Sequence, residues 1–501
     1  MKYCSTRNKE ISINSANAIK NGISNEGGLY VPVEIPKITL EETEKLSSLK
    51  YKDKASYILK KYLTDYSSED VEDCCEKAYS ADKFGSDNTA PLHYLTENES
   101  VLELWHGPTC AFKDMALQIL PHLLTKAISK TCENNEVIIL VATSGDTGKA
   151  ALEGFKDVPG TKIQVFYPVD GVSKIQKLQM ATQDGNNVSV CAVKGNFDDA
   201  QTGVKKIFTN NEYKDKLQKK GFSLSSANSI NWGRLVPQIV YYFSAYCDLL
   251  SDDRISLGDK INIVVPTGNF GNILAAFYAK MMGLPVNKLV CASNSNNVLT
   301  DFLTTGIYDR NRSFHTTVSP SMDILISSNL ERLLFYLSDF DDNLISGYMD
   351  ELSKSGKYEV DSNIKSKIKE FFACGYADEE ETKKTISDTF KKYGYVIDTH
   401  TAVAVSVYNK YKETTGDLTP TVIASTANPF KFNKAVISAI EPDVDLSSKD
   451  EFELLEILSE KGSIQIPENL SCLKNKEVRF KTVCDKDDMI NQTDSFLNLR
   501  G

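Results

Sequence analysis

Residues 261–284 read INIVVPTGNFGNILAAFYAKMMGL, an apolar β-prone run, a Gly-Asn turn and an Ala-rich helical stretch in immediate succession. The same order recurs in VIILVA–TSGDTG–KAALEGF (137–155) and in TVIAST–ANPF–KFNKAVISAI (421–440), with further apolar runs at KIQVFYP (162–168) and KLVCAS (288–293). Short apolar runs alternating with helices predict right-handed βαβ units and parallel sheets covered by helices on both faces. Such folds place ligands at the carboxyl ends of the strands, where these Gly-rich turns lie.

Outward from this core the texture changes. Residues 1–100 are polar and lysine-rich and predict a mainly helical N-terminal domain. The alternating region divides into a small α/β lobe, 136–255, and a large lobe, 101–135 with 256–501. Within the large lobe, about 330–395 reads as a charged, amphipathic helical insertion.

Composition narrows the function. The 501 residues are 41% hydrophobic and 25% charged, ordinary for a globular protein. A net charge of −11 disfavours nucleic acid as a partner. No run approaches the ~20 apolar residues that span a bilayer. Eleven scattered cysteines without a Cys-x-x-Cys pair read as reduced thiols, and the N-terminal stretch lacks the apolar core of a secretory signal, so a cytoplasmic protein is expected. Five histidines with no helical ligand spacing predict no metal.

Three segments can carry chemistry. In PTGNFGN (266–272), Gly268 and Gly271 allow close backbone approach, and the helix start offers free N–H groups to a phosphate; a plain connecting turn is the alternative. Neither a Walker sequence nor Gly-x-Gly-x-x-Gly follows any predicted strand. In ATSGDTG (142–148), hydroxyls and exposed N–H groups could receive an anion or merely cap a helix. In HGPTCAFKDMALQ (106–118), Lys113 is flanked by Ala111, Phe112, Met115, Ala116 and Leu117, a setting that lowers an amine's pKa and suits it to imine chemistry. A lysine together with a phosphate cup points to pyridoxal phosphate.

Six blocks in order, STR with EGGLYVP, HGPTCAFKD, ATSGDTGKAA, SANSINWGRLVPQIVYYF, PTGNFGN and STANPFKF, resemble the threonine synthases, a branch of the fold type II, tryptophan-synthase-β-like pyridoxal-phosphate enzymes. The resemblance implies an α/β fold type II architecture with two parallel-sheet lobes. It implies that Lys113 holds the cofactor as an imine, that Gly268, Asn269, Phe270, Gly271 and Asn272 cradle its phosphate, that Thr426 faces its ring nitrogen and that Asp146 lies beside its 3′-oxygen. The implied substrate is O-phospho-L-homoserine, with Thr143, Ser144 and Thr147 receiving its carboxylate and Asn228, Ser229 and Arg234 its phosphate. The implied reaction is loss of phosphate from the γ-carbon followed by hydration at the β-carbon to give L-threonine. Neither a nucleic-acid nor a membrane partner is implied, and both a monomer and a homodimer are compatible.

The family pattern is broken in two places. Asp170, Gly171 and Lys174 replace residues that usually include a base, and Asn428 and Phe430 stand where His and Ala are usual. A phospho-lyase releasing 2-oxobutyrate and a non-enzymatic phosphate-binding protein are the alternatives. His400, in DTHTAV, reads as a structural histidine near the site.

Overall fold

In the computed structural model, residues 1–131, 135–143, 145–169 and 172–499 are described. The chain is α/β. A six-stranded sheet runs in the order Phe372–Tyr376, Val286–Ser293, Ile261–Pro266, Thr421–Ser425, Glu99–Glu103, Leu92–Tyr94. Every neighbouring pair is parallel except the last, which is antiparallel. A five-stranded, all-parallel sheet runs Val483–Asp485, Val188–Lys194, Thr161–Pro168, Glu136–Ala142, Phe222–Ser225.

The central strands explain their own position. Every residue of Ile261–Pro266 and Thr421–Ser425 is buried, as expected of parallel strands with helices on both faces. Helix Gly271–Met282 follows directly from the first of these and is buried over most of its length.

The N-terminal region carries helices Ser15–Asn21, Leu40–Ser47, Tyr51–Tyr62 and Ser68–Ala78, but also a three-stranded sheet ordered Asn8–Ile13, Tyr3–Ser5, Tyr30–Pro32. Three segments depart from the sequence-based lobes. The expected helical insertion contains Phe372–Tyr376, which pairs in parallel with Val286–Ser293 and lengthens the large sheet. The C-terminal strand Val483–Asp485 joins the small sheet beside Val188–Lys194, with helix Met489–Phe496 following it. Helix Gln238–Ser251 packs against Leu40–Ser47, Tyr51–Tyr62 and Gly271–Met282. The two strands are too short to show a period. The helix is apolar almost all round, so its sequence records burial without recording a partner.

Candidate active site

The large-sheet strands Glu99–Glu103, Ile261–Pro266 and Thr421–Ser425 and the small-sheet strands Glu136–Ala142 and Phe222–Ser225 each lead, at their carboxyl ends, into a segment singled out from the sequence.

Lys113 lies just before the short helix Asp114–Leu117. Its loop is stitched to the end of strand Thr421–Ser425: Phe112 N donates to Thr426 O (2.8 Å) and Asn428 N to Cys110 O (3.1 Å). Within the loop, Thr109 donates through both N and Oγ1 to the buried Asp114 carboxylate, at 2.8 Å each. The Lys113 Nζ lies 3.5 Å from Asp146 Oδ2 and 3.3 Å from Ser321 Oγ. Ala111, Met115, Ala116 and Leu117 are buried around it, and the Phe112 ring centroid is 5.0 Å from Nζ. Burial pushes this amine's pKa down; Asp146 opposes that, while the positive charges of Lys431 and Arg234 add to it.

Asp146 starts helix Asp146–Phe155. Its Oδ1 accepts from Lys431 Nζ (2.6 Å) and Gln176 Nε2 (2.8 Å). Burial alone would raise this carboxyl, but Lys431 and Lys113 hold it well below the usual range. The preceding loop closes on Thr143, whose Oγ1 accepts from Gly145 N and Gly148 N at 3.0 Å each. Gly145 has φ 153°, and a Cβ there would come within 2.6 Å of the Gln176 amide. Thr147 is half-buried in the first turn of that helix. Ser144, Asp170 and Gly171 lie outside the described residues.

The turn 268–272 caps helix Gly271–Met282. The left-handed residue is Phe270 (φ 60°), not either glycine; its buried ring lies 5.9 Å from that of Phe372. Gly268 is required by packing, because a Cβ would meet Ser321 O at 2.6 Å. Asn329 clamps the turn, donating to Asn269 O from N (3.1 Å) and Nδ2 (2.9 Å), and Ser327 Oγ donates to Gly268 O (2.7 Å). Asn272 Oδ1 accepts from Tyr241 OH (2.7 Å) and from Tyr242 OH, while its buried Nδ2 has no partner among the described residues. A buried amide donor without an acceptor is costly, and an anion in the cup would satisfy it.

Arg234 lies in the short helix Trp232–Leu235, capped by Asn231. Its Nη1 donates to Ala227 O (2.6 Å), its buried Nε has no partner, and no carboxylate pairs with it among the described residues. Burial lowers its pKa to about 10, so it remains cationic at neutral pH. Asn228 and Ser229 are half-buried in the loop before it, and Ser229 O accepts from Asn329 Nδ2 (3.3 Å), which joins that loop to the cup.

His400 is buried, its Nδ1 2.8 Å from Asp398 Oδ1, and its Nε2 accepts from Ser321 N (3.2 Å), an arrangement that assigns the proton to Nδ1. It thereby fixes the turn Pro320–Met322 beside Lys113. Asn428 caps the turn Pro429–Phe432 through Oδ1 to Phe430 N (3.0 Å), and Phe430 is buried. Lys174 is exposed at the start of helix Lys174–Ala181. Among the described residues no cluster of His, Cys, Asp and Glu could hold a metal ion.

Sequence reasoning missed Lys431, Gln176, Ser321 and Asn329. Lys431 carried a usable signal: it lies between Phe430 and Phe432, the same apolar flanking that marked Lys113. Gln176, in helix Lys174–Ala181, closes the stretch in which Asp170, Gly171 and Lys174 depart from the family pattern and could have been found there; Ser321, in the turn Pro320–Met322, and Asn329, at the start of helix Leu330–Leu337, had none.

A threonine synthase of Pseudomonas aeruginosa is 38% identical to this chain over 440 residues, covering 88% of the chain and 90% of its own length. The chain belongs to the threonine synthase family. Family profiles described as threonine synthase N terminus and threonine synthase, C-terminal, match residues 2–79 and 401–493. The PLP-bound threonine synthase from Brucella melitensis superposes with a TM-score of 0.88 at 36% identity, over 100% of both chains. The yeast threonine synthase structure also gives 0.88, at 32% identity over 99% of both. The human protein threonine synthase-like 1 is 40% identical over 449 residues, which is 87% of this chain. The chain spans 60% of the length of that relative.

Proposed function

We propose that the protein is a pyridoxal-phosphate-dependent threonine synthase that converts O-phospho-L-homoserine and water to L-threonine and phosphate. The observation that carries the reading is the pair of orphaned buried donors near an amine depressed by burial: Asn272 Nδ2, in the cup that packs on Ser321 next to Lys113, and Arg234 Nε, whose charge acts on Lys113. Two open donors, one in each of two segments near a lysine, would suit a phosphorylated cofactor and a phosphorylated substrate.

The residues fit the cofactor. Turn 268–272 and the Asn272 amide would hold its phosphate, Lys113 its carbonyl carbon, and Thr426, at the end of strand Thr421–Ser425, would face the ring nitrogen with a neutral hydroxyl. Pyridoxal phosphate, when bound, supplies an electron sink for charge developing at the substrate α-carbon. Once the substrate amine had taken its place on that carbon, the Lys113 Nζ would take and return protons at the α- and β-carbons, which requires it to be deprotonated at working pH. Arg234, with Asn228 and Ser229, would hold the substrate phosphate as it leaves from the γ-carbon. The loop bearing Thr143, Ser144 and Thr147 would hold the carboxylate. The Phe112 ring limits water at Nζ. The proposed setting is the cytoplasm, in keeping with free thiols at all ten cysteines among the described residues.

The test loads the chain with pyridoxal phosphate, adds O-phosphohomoserine, and measures phosphate, threonine and 2-oxobutyrate together. Threonine and phosphate are expected in equal amounts, with loss of more than ~10³-fold and of the visible absorbance in Lys113→Ala. 2-Oxobutyrate without threonine would replace this reading with the phospho-lyase. No phosphate release, with absorbance unaffected by Lys113→Ala, would leave a binding protein.

A further inference from the structure

Beside Lys113 lies a second lysine to which the chemistry above gives no task. Lys431 belongs to the turn Pro429–Phe432, and its side chain is 0% exposed. Its ammonium makes two contacts, Asp146 Oδ1 at 2.6 Å and Thr109 O at 2.9 Å. The first carboxylate oxygen of Asp146 is thus engaged by Lys431 and Gln176, while the second lies 3.5 Å from Lys113 Nζ. The Thr109 carbonyl belongs to the lysine loop itself, whose Thr109 N and Oγ1 bind Asp114. Lys431 therefore touches both the loop that carries the working amine and the carboxylate beside that amine.

We propose that Lys431 is a positioning residue that neutralises Asp146 and anchors the lysine loop, so that Asp146 orients the Lys113 amine without trapping it as an ammonium. A buried carboxylate and a buried amine left alone 3.5 Å apart would form an ion pair and hold the proton on nitrogen. A second cation, closer to the same carboxylate, removes that tendency and repels a proton on Lys113. Lys113 and Lys431 share the Asp146 carboxylate, and the amine best placed to give up its proton is Lys113, with the longer contact. The charged groups facing Lys113 are Asp146 from helix Asp146–Phe155, Arg234 from Trp232–Leu235 and Lys431 from the turn Pro429–Phe432. Those acting on Lys431 from the lysine loop are Asp114 and the Cys110 thiol, which burial pushes up to about 6 and about 12.

This inference rests on the reading of Lys113 as the working amine, yet it is tested without turnover. The full chain, freed of any bound carbonyl compound with hydroxylamine, is labelled with trace acetic anhydride across a pH series, and the Lys113 peptide is quantified by mass spectrometry. In Lys431→Met the labelling midpoint of Lys113 is expected to rise by about one pH unit or more, giving roughly tenfold less label at a pH below both midpoints. Lys431→Arg, which keeps the charge, is expected to retain the wild-type midpoint. A midpoint in Lys431→Met that is unchanged or lower, or a Lys431→Arg midpoint displaced as far as that of Lys431→Met, overturns the proposal. Should Lys431→Met fail to fold, Lys431→Gln replaces it, being neutral and still able to donate to Asp146 and Thr109 O, with the same midpoint shift expected and the same result overturning. Absence of threonine formation by the wild type would overturn the proposed function and leave this titration to be judged separately.

Discussion

Arg234 and Arg332 are the two buried arginines among the described residues, and they differ in how many of their nitrogens are bonded. Both are almost fully buried, neither forms an ion pair among the described residues, and burial lowers each to about 10. Arg332 spends every nitrogen: Nε on Tyr30 O (3.0 Å), Nη2 on Ile230 O (2.6 Å) and Nη1 on Asn329 Oδ1. It sews the N-terminal sheet, the loop before Trp232 and the Asn329 clamp on turn 268–272 into one piece. Among the described residues Arg234 makes one hydrogen bond and leaves Nε unpartnered. Burial and a shifted pKa therefore do not separate a structural cation from a binding one, whereas the accounting of donors does. Arg332 is complete as it stands, and Arg234 keeps an open donor that the proposed substrate phosphate would take.

Removing each arginine should break different properties. Arg234→Ala is expected to lower kcat/KM for O-phosphohomoserine by about 10³-fold, equivalent to ~4 kcal/mol, while the urea unfolding midpoint stays close to that of the wild type, because an uncompensated buried charge is removed. Unchanged kinetics would show that the substrate phosphate is held elsewhere. Arg332→Met should do the reverse. Three acceptors, on Tyr30, Ile230 and Asn329, lose their donor, and a loss of about 3–4 kcal/mol in unfolding free energy is expected. Substrate KM in the fraction that folds should change far less than in Arg234→Ala. A stable Arg332→Met protein with a selectively raised KM would make the two arginines functionally alike.

The same distinction marks what the sequence can disclose. The strand–turn–helix rhythm from Ile261 onward is local, so the parallel sheets and the carboxyl-end position of the turns were legible from hydrophobic period and glycine placement. Lys113 was legible because its neighbours in sequence are also its neighbours in space. The strand Phe372–Tyr376 was not, because five residues between two charged helices show no period, and its pairing with Val286–Ser293 is a long-range event. Nor was the return of Val483–Asp485 to the small sheet. Within the site, Lys431 meets Asp146 across nearly three hundred residues, and Arg332 meets Tyr30 and Ile230 in the same fashion. Charge partners of this kind are properties of the fold. At the cup the expectation of glycine freedom met a different solution: packing against Ser321 fixes Gly268, and Phe270 carries the left-handed conformation.

Asp114 extends the comparison to a buried acid whose hydrogen bonds are complete. Both oxygens accept from Thr109, as every nitrogen of Arg332 donates, yet burial outweighs those bonds and raises the carboxyl from 3.8 to about 6. The folded state thus binds a proton more tightly than the unfolded chain. The stability this lends is fully present below pH 3.8 and is lost as pH rises through about 6. A shift of about two units corresponds to on the order of 2–3 kcal/mol. Asp114→Asn has no such titration, so the unfolding free energy of the wild type relative to this variant should fall by that amount between pH 4 and pH 7, read from urea unfolding across the series. A constant difference would mean that the two Thr109 bonds cancel the cost of burial. A difference that grew with pH would mean that the ionised carboxylate is the form the loop is built around, and that Asp114, like Asp146, is held down by Lys431.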